Sequence, residues 1–291
     1  MTRPPLAVIP WPFHGGIANV SMGLGGSALA ADREFLAGLE AAGWEPHVEQ
    51  VEPVDETLSE IARIFELDRR LARSVAAARA RGAFPLVLGG NCVSCLGTTA
   101  GARGDGDLGA VWLDAHADFD TPEDNLSGFT DVMGLAILTG GCWRALRETI
   151  PGFAAVDEGH VALVGTRDLE PYQRERIARS RLLVAPGTEP PAPVLDALRE
   201  RVERVYLHVD LDVLDTSVGR ANPYAAPGGP DLDGVLAAIG ATFDRFDVAA
   251  AALTAYDPRV DEDGAIAAAA RAIAGRIAGR AIAPRRDPPT A

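Results

Sequence analysis

Cysteine is scarce in this chain. Only three are present, Cys92, Cys95 and Cys142, an odd number that cannot close into a disulfide framework and that suits a reducing compartment. Long apolar runs are also missing. The N-terminal run Leu6–Pro10 is too short for a signal-peptide core or a bilayer span, and the Ala-rich C-terminal stretch is interrupted by Arg271, Arg276 and Arg280. Positive charge is in short supply, with 27 Lys and Arg against 41 Asp and Glu and a net charge of −14. Such a surface repels phosphate backbones and anionic lipid, which excludes nucleic acid and membrane as natural partners. The expectation is a cytoplasmic protein acting on a small molecule.

Apolar residues make up 47% of the 291 positions, enough for one large core. Eight short β-type runs alternate with helical patterns. The runs are Leu6–Pro10, Glu45–Val51, Leu86–Leu88, Ala110–Leu113, His160–Gly165, Arg181–Val184, Val205–Val209 and Ala249–Thr254. Helices are predicted over Ser27–Ala42, Asp55–Arg81, Pro171–Arg179, Pro193–Arg201, Asp231–Arg245 and Gly264–Ile282. This alternation predicts an α/β fold in three layers, α/β/α, around a parallel, mostly eight-stranded sheet. No linker divides it, so residues 1–283 are expected to form one domain and 284–291 a flexible tail.

The chemistry gathers at two strand ends. Leu113-Asp114-Ala115-His116-Ala117-Asp118 follows one apolar run, and His208-Val209-Asp210-Leu211-Asp212 closes another. Side chains alternate along an extended chain, which places Asp114, His116 and Asp118 on one side, and Asp210 with Asp212 on another. Carboxyl ends of parallel strands are where open α/β sheets bind ligands. Four carboxylates converging there repel strongly, since two unit charges 4 Å apart cost about 4 kcal/mol at an effective dielectric of 20. No Lys or Arg lies in either motif. Divalent cations are the natural compensation, and oxygen-rich ligation with an imidazole suits Mn2+. His208, two residues before Asp210, is placed on the same face and assigned to core packing. His14, His47 and His160 read as surface or structural, although Trp11, Phe13 and His14 follow the first strand and are candidates for the crevice mouth.

Asp114-Ala-His-Ala-Asp118, followed by Thr121-Pro-Glu123 and Ser127-Gly128, resembles the central motif of the arginase and agmatinase (ureohydrolase) family, and His208-Val-Asp-Leu-Asp-Val-Leu-Asp215 resembles its second motif. Gly23–Ser27 and Gly165-Thr-Arg-Asp168 are further landmarks, so the resemblance spans almost the whole chain. It implies a hydrolase of C–N bonds in linear guanidines or amidines, with two Mn2+ per subunit and a trimeric or hexameric assembly. Carried over, Asp114 and Asp210 bridge the two ions, Asp118 completes one, and His116 with Asp212 completes the other.

Departures from the family pattern shape the substrate expectation. The family's Gly-Gly-Asp-His reads Gly89-Gly90-Asn91-Cys92 here, which puts Cys92 in the place of a ligand histidine and makes that site the weaker one. Asp131 stands where arginine hydrolases carry a proton-shuttling histidine. With Asp118 it is the candidate catalytic acid. Asp120, Ser127 and Glu170 are the candidate substrate contacts, with Gln173 in place of a second acid, and Ala255 replaces a glutamate that grips the guanidinium. These changes fit a branch acting on modified guanidines, such as Nω-hydroxyarginine hydrolases, in preference to plain L-arginine. Two other readings stay open: a non-catalytic binding protein with the same fold, and a thiol enzyme centred on Cys92 and its Cys92-Val-Ser-Cys95 motif.

Overall fold

The computed structural model describes residues 3–104, 106–125 and 127–282, so the expected tail at 284–291 lies outside them. Ten strands and ten helices alternate along these residues. The strands are β1 (Pro5–Trp11), the short hairpin pair β2 (Phe13–His14) and β3 (Ile17–Ala18), β4 (Glu45–Val48), β5 (Phe84–Gly89), β6 (Gly109–Leu113), β7 (Val161–Val164), β8 (Leu183–Ala185), β9 (Arg204–Asp210) and β10 (Asp247–Thr254). The helices are α1 (Gly23–Ala31), α2 (Arg33–Ala41), α3 (Glu60–Ala80), α4 (Cys95–Ala102), α5 (Gly134–Leu138), α6 (Arg144–Arg147), α7 (Pro171–Arg179), α8 (Ala192–Arg199), α9 (Leu232–Arg245) and α10 (Ala265–Ala281). Eight strands form one sheet in the order β4-β1-β5-β10-β9-β6-β7-β8, every pair parallel.

Alternation of side chains sorts the core onto the two faces of this sheet. On one face Ile9, Val87, Trp112, Leu163, Tyr206 and Ala252 pack under α3, α4 and α5. On the other Val8, Leu86, Leu113, Val164, Leu207 and Leu253 pack under α2, α8, α9 and α10. Because both faces are covered, the strands read as continuous apolar runs. No helix among the described residues is long and apolar enough to cross a membrane.

The chain order leaves four strands at the centre. After β5 it skips two places to lay down β6, β7 and β8, then returns to insert β9 and β10 in the gap. Register brings their carboxyl ends level: Gly89 pairs with Thr254, Thr254 with Asp210, and Leu113 with Val209. The reversal of winding direction here opens a crevice at the strand ends.

Three sequence expectations need correction. The single helix over Ser27–Ala42 is two helices, because Asp32 turns extended (φ −74°, ψ 114°), caps Glu34 N at 2.8 Å and pairs with Arg271 of α10 at 2.7 Å. The helix expected from Asp55 begins at Glu60, where the Ser59 hydroxyl accepts from Ala62 N. Trp11 and Phe13 are fully buried in the core instead of lining the crevice mouth.

Helix α4, which carries the Cys92 segment toward the crevice, lies against α3 through glycine. A Cβ added at Gly97 would meet the Asp68 carbonyl at 2.6 Å, and one at Gly101 would meet the Ala72 carbonyl at 2.5 Å. Gly97→Ala is therefore expected to push the helices apart and destabilise the fold by about 1–3 kcal/mol, read as a lower midpoint in thermal or urea unfolding. An unchanged midpoint would show that this contact relaxes freely.

Candidate metal centre

Three of the four central strands, β5, β6 and β9, deliver donors to the crevice at or beyond their carboxyl ends. Gly89 and Gly90 let the chain leave β5 through a tight gap, for a Cβ at Gly90 would lie 2.5 Å from the Phe13 carbonyl. The turn then sets down Asn91 and Cys92. After β6, the backbone leaves the extended conformation at once: the Asp114 carboxylate accepts from His116 N at 2.7 Å, and Asp118 adopts φ 48°. Asp114, His116 and Asp118 do converge, but through this turn and not through the strand alternation expected for them. At the end of β9, Asp210 accepts from Asp212 N at 2.8 Å and opens the short 3-10 turn Leu211–Val213.

The donors form three overlapping groups, within each of which the ligand atoms lie within 4.8 Å of one another. They are Cys92, Asp114, His208 and Asp210; Cys92, Asp118 and Asp131; and Asp114, His116 and Asp212. Five carboxylates thus share the floor of the crevice with one thiol and two imidazoles. Burial pushes Asp114, Asp118 and Asp210 up from the ordinary carboxylate range, and their neighbouring carboxylates push Asp118 and Asp210 further. Asp131 is raised to about 7, mainly by burial, against hydrogen bonds from Val93 N, Cys92 N and the Asn91 amide. Burial also opposes the charges of His116 and Asp212, yet their mutual attraction dominates, raising His116 to about 12 and lowering Asp212 to about 2. The His116 Nδ1 lies 3.4 Å from both Asp114 Oδ1 and Asp212 Oδ2.

One imidazolium cannot balance five carboxylates in so small a volume. The surplus negative charge, the oxygen-rich donor set and the 4.8 Å groupings together fit a pair of divalent cations. The donors grouped around Cys92, with Asp114 and Asp210, would hold the first, and Asp114, His116 and Asp212 the second.

Around these donors stands a supporting shell that motif reading does not find. Trp112 donates its indole N–H to Asp114 Oδ2 at 2.9 Å. Asn222 donates to Asp212 Oδ2 and to the Ala255 carbonyl, both at 3.0 Å. Asn91 donates to Asp131 Oδ2 at 2.6 Å, while Val93 N reaches Asp131 Oδ1 at 3.0 Å. Arg167 gathers six backbone carbonyls, those of Gly165, Asp212, Val213, Leu214, Ala226 and Pro227, and so pins the loop that follows Asp212. Asn91 and Arg167 fall inside sequence landmarks that do not reveal these roles, and the Asn-Pro dipeptide at Asn222 marks only a turn.

The remaining expected site residues are placed as follows. Asp131 sits on the donor cluster with both oxygens held, so it stands in ligand position as well as in the place of a proton carrier. Asp120 is buried, and Asn125, Tyr172 and Gln173 all donate to it, tying its loop to α7. Glu170 is the exposed N-cap of α7 in a capping box with Gln173. Ser127 is exposed and engaged in a local turn with Asn125 and Phe129. In this structure the polar atoms of all three are engaged with neighbouring residues, Asp120 with Asn125 and α7, Ser127 with its own turn and Glu170 with the start of α7. At the rim stand His14, bonded to Asn91 and 5.2 Å from the Phe129 ring, and Asp168, 3.6 Å from His116 Nε2. Cys92 is 3% exposed and donates its thiol to Asp210 Oδ2 at 2.9 Å. Burial and the surrounding carboxylates push that thiol well up, the reverse of what a nucleophilic thiolate requires.

Removing one supporting donor tests the centre without touching a ligand. Trp112→Phe keeps an aromatic ring on the sheet but deletes the N–H bonded to Asp114. Competition titration against a chelating dye is expected to show about 10–100-fold weaker Mn2+ binding, with unchanged far-UV circular dichroism. Equal affinity would show that this bond does not orient Asp114.

Comparison with known proteins gives a consistent picture. A sequence profile described as the Arginase family matches residues 6–279. The arginase of Bacillus caldovelox is 30% identical over 238 residues, covering 78% of this chain and 79% of that one. The solved native structure of B. caldovelox arginase superposes with a TM-score of 0.84 at 27% identity, covering 95% of this chain and 98% of that one. The formimidoylglutamase of Bacillus subtilis subsp. subtilis str. 168 shares the fold, with a TM-score of 0.71 at 18% identity over 98% of this chain and 88% of that one.

Proposed function

The chain belongs to the arginase family of C–N hydrolases, and from that premise we propose that it hydrolyses a modified guanidine or related linear amidine, not plain L-arginine, with the help of two divalent ions held at the crevice. The observation that carries this reading is the set of three overlapping donor groups at the ends of β5, β6 and β9. A pair of such ions, Mn2+ in keeping with the carboxylate oxygens, supplies Lewis acidity and lowers the pKa of water toward neutrality.

The chain's own residues set the geometry. Trp112, Asn222 and Asn91 orient Asp114, Asp212 and Asp131, and Arg167 fixes the loop beyond Asp212, so the donors are pre-organised. Asp114, Asp131, Asp210 and Asp212 are buried at the sheet ends, which strengthens the electrostatic interactions among them.

Substrate choice follows from what lines the crevice. Position 255, where arginine-type enzymes are expected to present a carboxylate to the guanidinium, is an alanine in the left-handed conformation (φ 60°), and its carbonyl is already taken by Asn222. A strongly basic guanidinium finds no carboxylate partner there. An N-hydroxylated or otherwise less basic guanidine loses less by that absence. Asp120 is held by Asn125, Tyr172 and Gln173, and with the rim around His14, Phe129 and Asp168 it is a candidate to recognise the tail. Deep burial of Cys92 and its bond to Asp210 weigh against the thiol-enzyme reading.

The deciding assay loads the chain with Mn2+ and measures urea, hydroxyurea or amine release from arginine, agmatine, guanidino acids and Nω-hydroxyarginine. Turnover is expected to be at least about tenfold higher on the less basic guanidine than on arginine, a difference of about 1.4 kcal/mol in transition-state stabilisation. Asp210→Ala is expected to abolish it. Preferred turnover of arginine would overturn the substrate reading, and no turnover with two ions bound would favour the non-catalytic alternative.

A further inference from the structure

Position 92 has lost an imidazole relative to the family pattern, and another imidazole stands beside it. His208 lies on β9, two residues before Asp210, on the same face of the sheet and fully enclosed. Its ring is flat against Trp112, with centroids 3.6 Å apart and planes 9° apart. One ring nitrogen, Nδ1, is paired with the buried Tyr206 hydroxyl at 2.8 Å. The other, Nε2, meets the Thr254 hydroxyl at 3.2 Å, and that hydroxyl in turn lies 3.3 Å from Cys92 Sγ and 3.5 Å from Asp210 Oδ2. Nε2 is therefore the nitrogen turned toward the donors.

We propose that His208 Nε2 is a ligand of the first metal ion, alongside Cys92, Asp114 and Asp210, and supplies from the sheet floor the imidazole that the β5 turn no longer carries. The inference rests on the metal-dependent reading above. A side chain at 92 shorter by a ring leaves room that the His208 ring, entering from below, can use. Four donors of this kind from four residues lie within 4.8 Å of one another. Metal-bound histidines characteristically have their second nitrogen fixed by a hydrogen bond, the role Tyr206 fills here, and the Trp112 stack removes the remaining ring rotation. Trp112 thereby holds two members of the group, the His208 ring by stacking and Asp114 by its N–H.

The donor chemistry has a consequence. Sulfur, nitrogen and two carboxylate oxygens suit a borderline cation such as Co2+ or Zn2+ better than Mn2+, whereas the group of Asp114, His116 and Asp212 stays oxygen-rich. The two sites of the pair are thus unlike in preference, and the first is no longer the weaker one when a borderline ion is offered.

Co2+ titration of the full chain, followed by absorption, reads this directly. Wild type is expected to take up two ions, one of them announced by a thiolate-to-cobalt charge-transfer band from Cys92. His208→Gln, whose amide still bonds to Tyr206, is expected to weaken that event by about 100-fold or more while leaving the other ion's affinity unchanged. Cys92→His combined with His208→Gln is expected to restore tight binding of the ion without the band. Tyr206→Phe, which keeps the ligand but frees its ring, is expected to fall between, about tenfold weaker, and serves if His208→Gln does not fold. Unfolding midpoints of the cobalt-free variants separate ligand loss from loss of packing. Two ions bound by His208→Gln as tightly as by wild type would overturn the proposal and leave the metal-dependent reading standing. No cobalt taken up by wild type would overturn both.

Discussion

Mutual repulsion among buried carboxylates governs this molecule's active end. Asp114, Asp118 and Asp131 follow β6, while Asp210 and Asp212 stand at the end of β9, and all but the half-buried Asp118 are buried. At spacings of about 4 Å such charges oppose one another by several kcal/mol per pair, well beyond what one His116 offsets. A fold tolerates that cost only where function returns it, by cations bound between the carboxylates. The surrounding architecture answers to this demand. The insertion of β9 and β10 between β5 and β6 makes the turns neighbours, and indole, amide and guanidinium donors then hold each acid in place.

Much of the scaffold was legible in the sequence, because a two-face parallel sheet writes itself as apolar runs bounded by glycine and separated by helical spacing. All eight sheet strands fall where those runs lie. The failures have local causes. Asp32 breaks a helix that apolar spacing alone would continue, since its carboxylate caps one helix and pairs with another. Asp118 reaches the cluster through a left-handed backbone, not through strand alternation, and no periodicity announces such a turn. Position in the sequence does not show the bonds that Asp120, Ser127 and Glu170 make to α7 or to their own turns, because those partners are set by the fold.

His208 marks the limit of reading one residue at a time. Enclosed by Trp112 and Tyr206, it has every mark of a packing residue. Packing and ligation are not exclusive, however: a ring gripped on one side presents its far nitrogen with little freedom. Asn222 is the converse case. It lies twelve positions after Asp210, beyond the motif that ends at Asp215, and only the folded chain shows it bridging Asp212 to the carbonyl of Ala255.

The Arg167 clamp divides the crevice into a fixed half and an adaptable half. Six carbonyls drawn onto one guanidinium tie the wall beyond Asp212 to the 165–167 turn, so a change in that wall disturbs many bonds at once. The opposite wall, from His14 across Phe129 to the loop at Asp120, is held by separate side-chain bonds to Asn91, Asn125, Tyr172 and Gln173, with no single residue gathering them as Arg167 does. Divergence in what such a protein accepts is therefore channelled to one side of its opening, where natural variation among relatives can accumulate while the hydrolytic floor stays as it is.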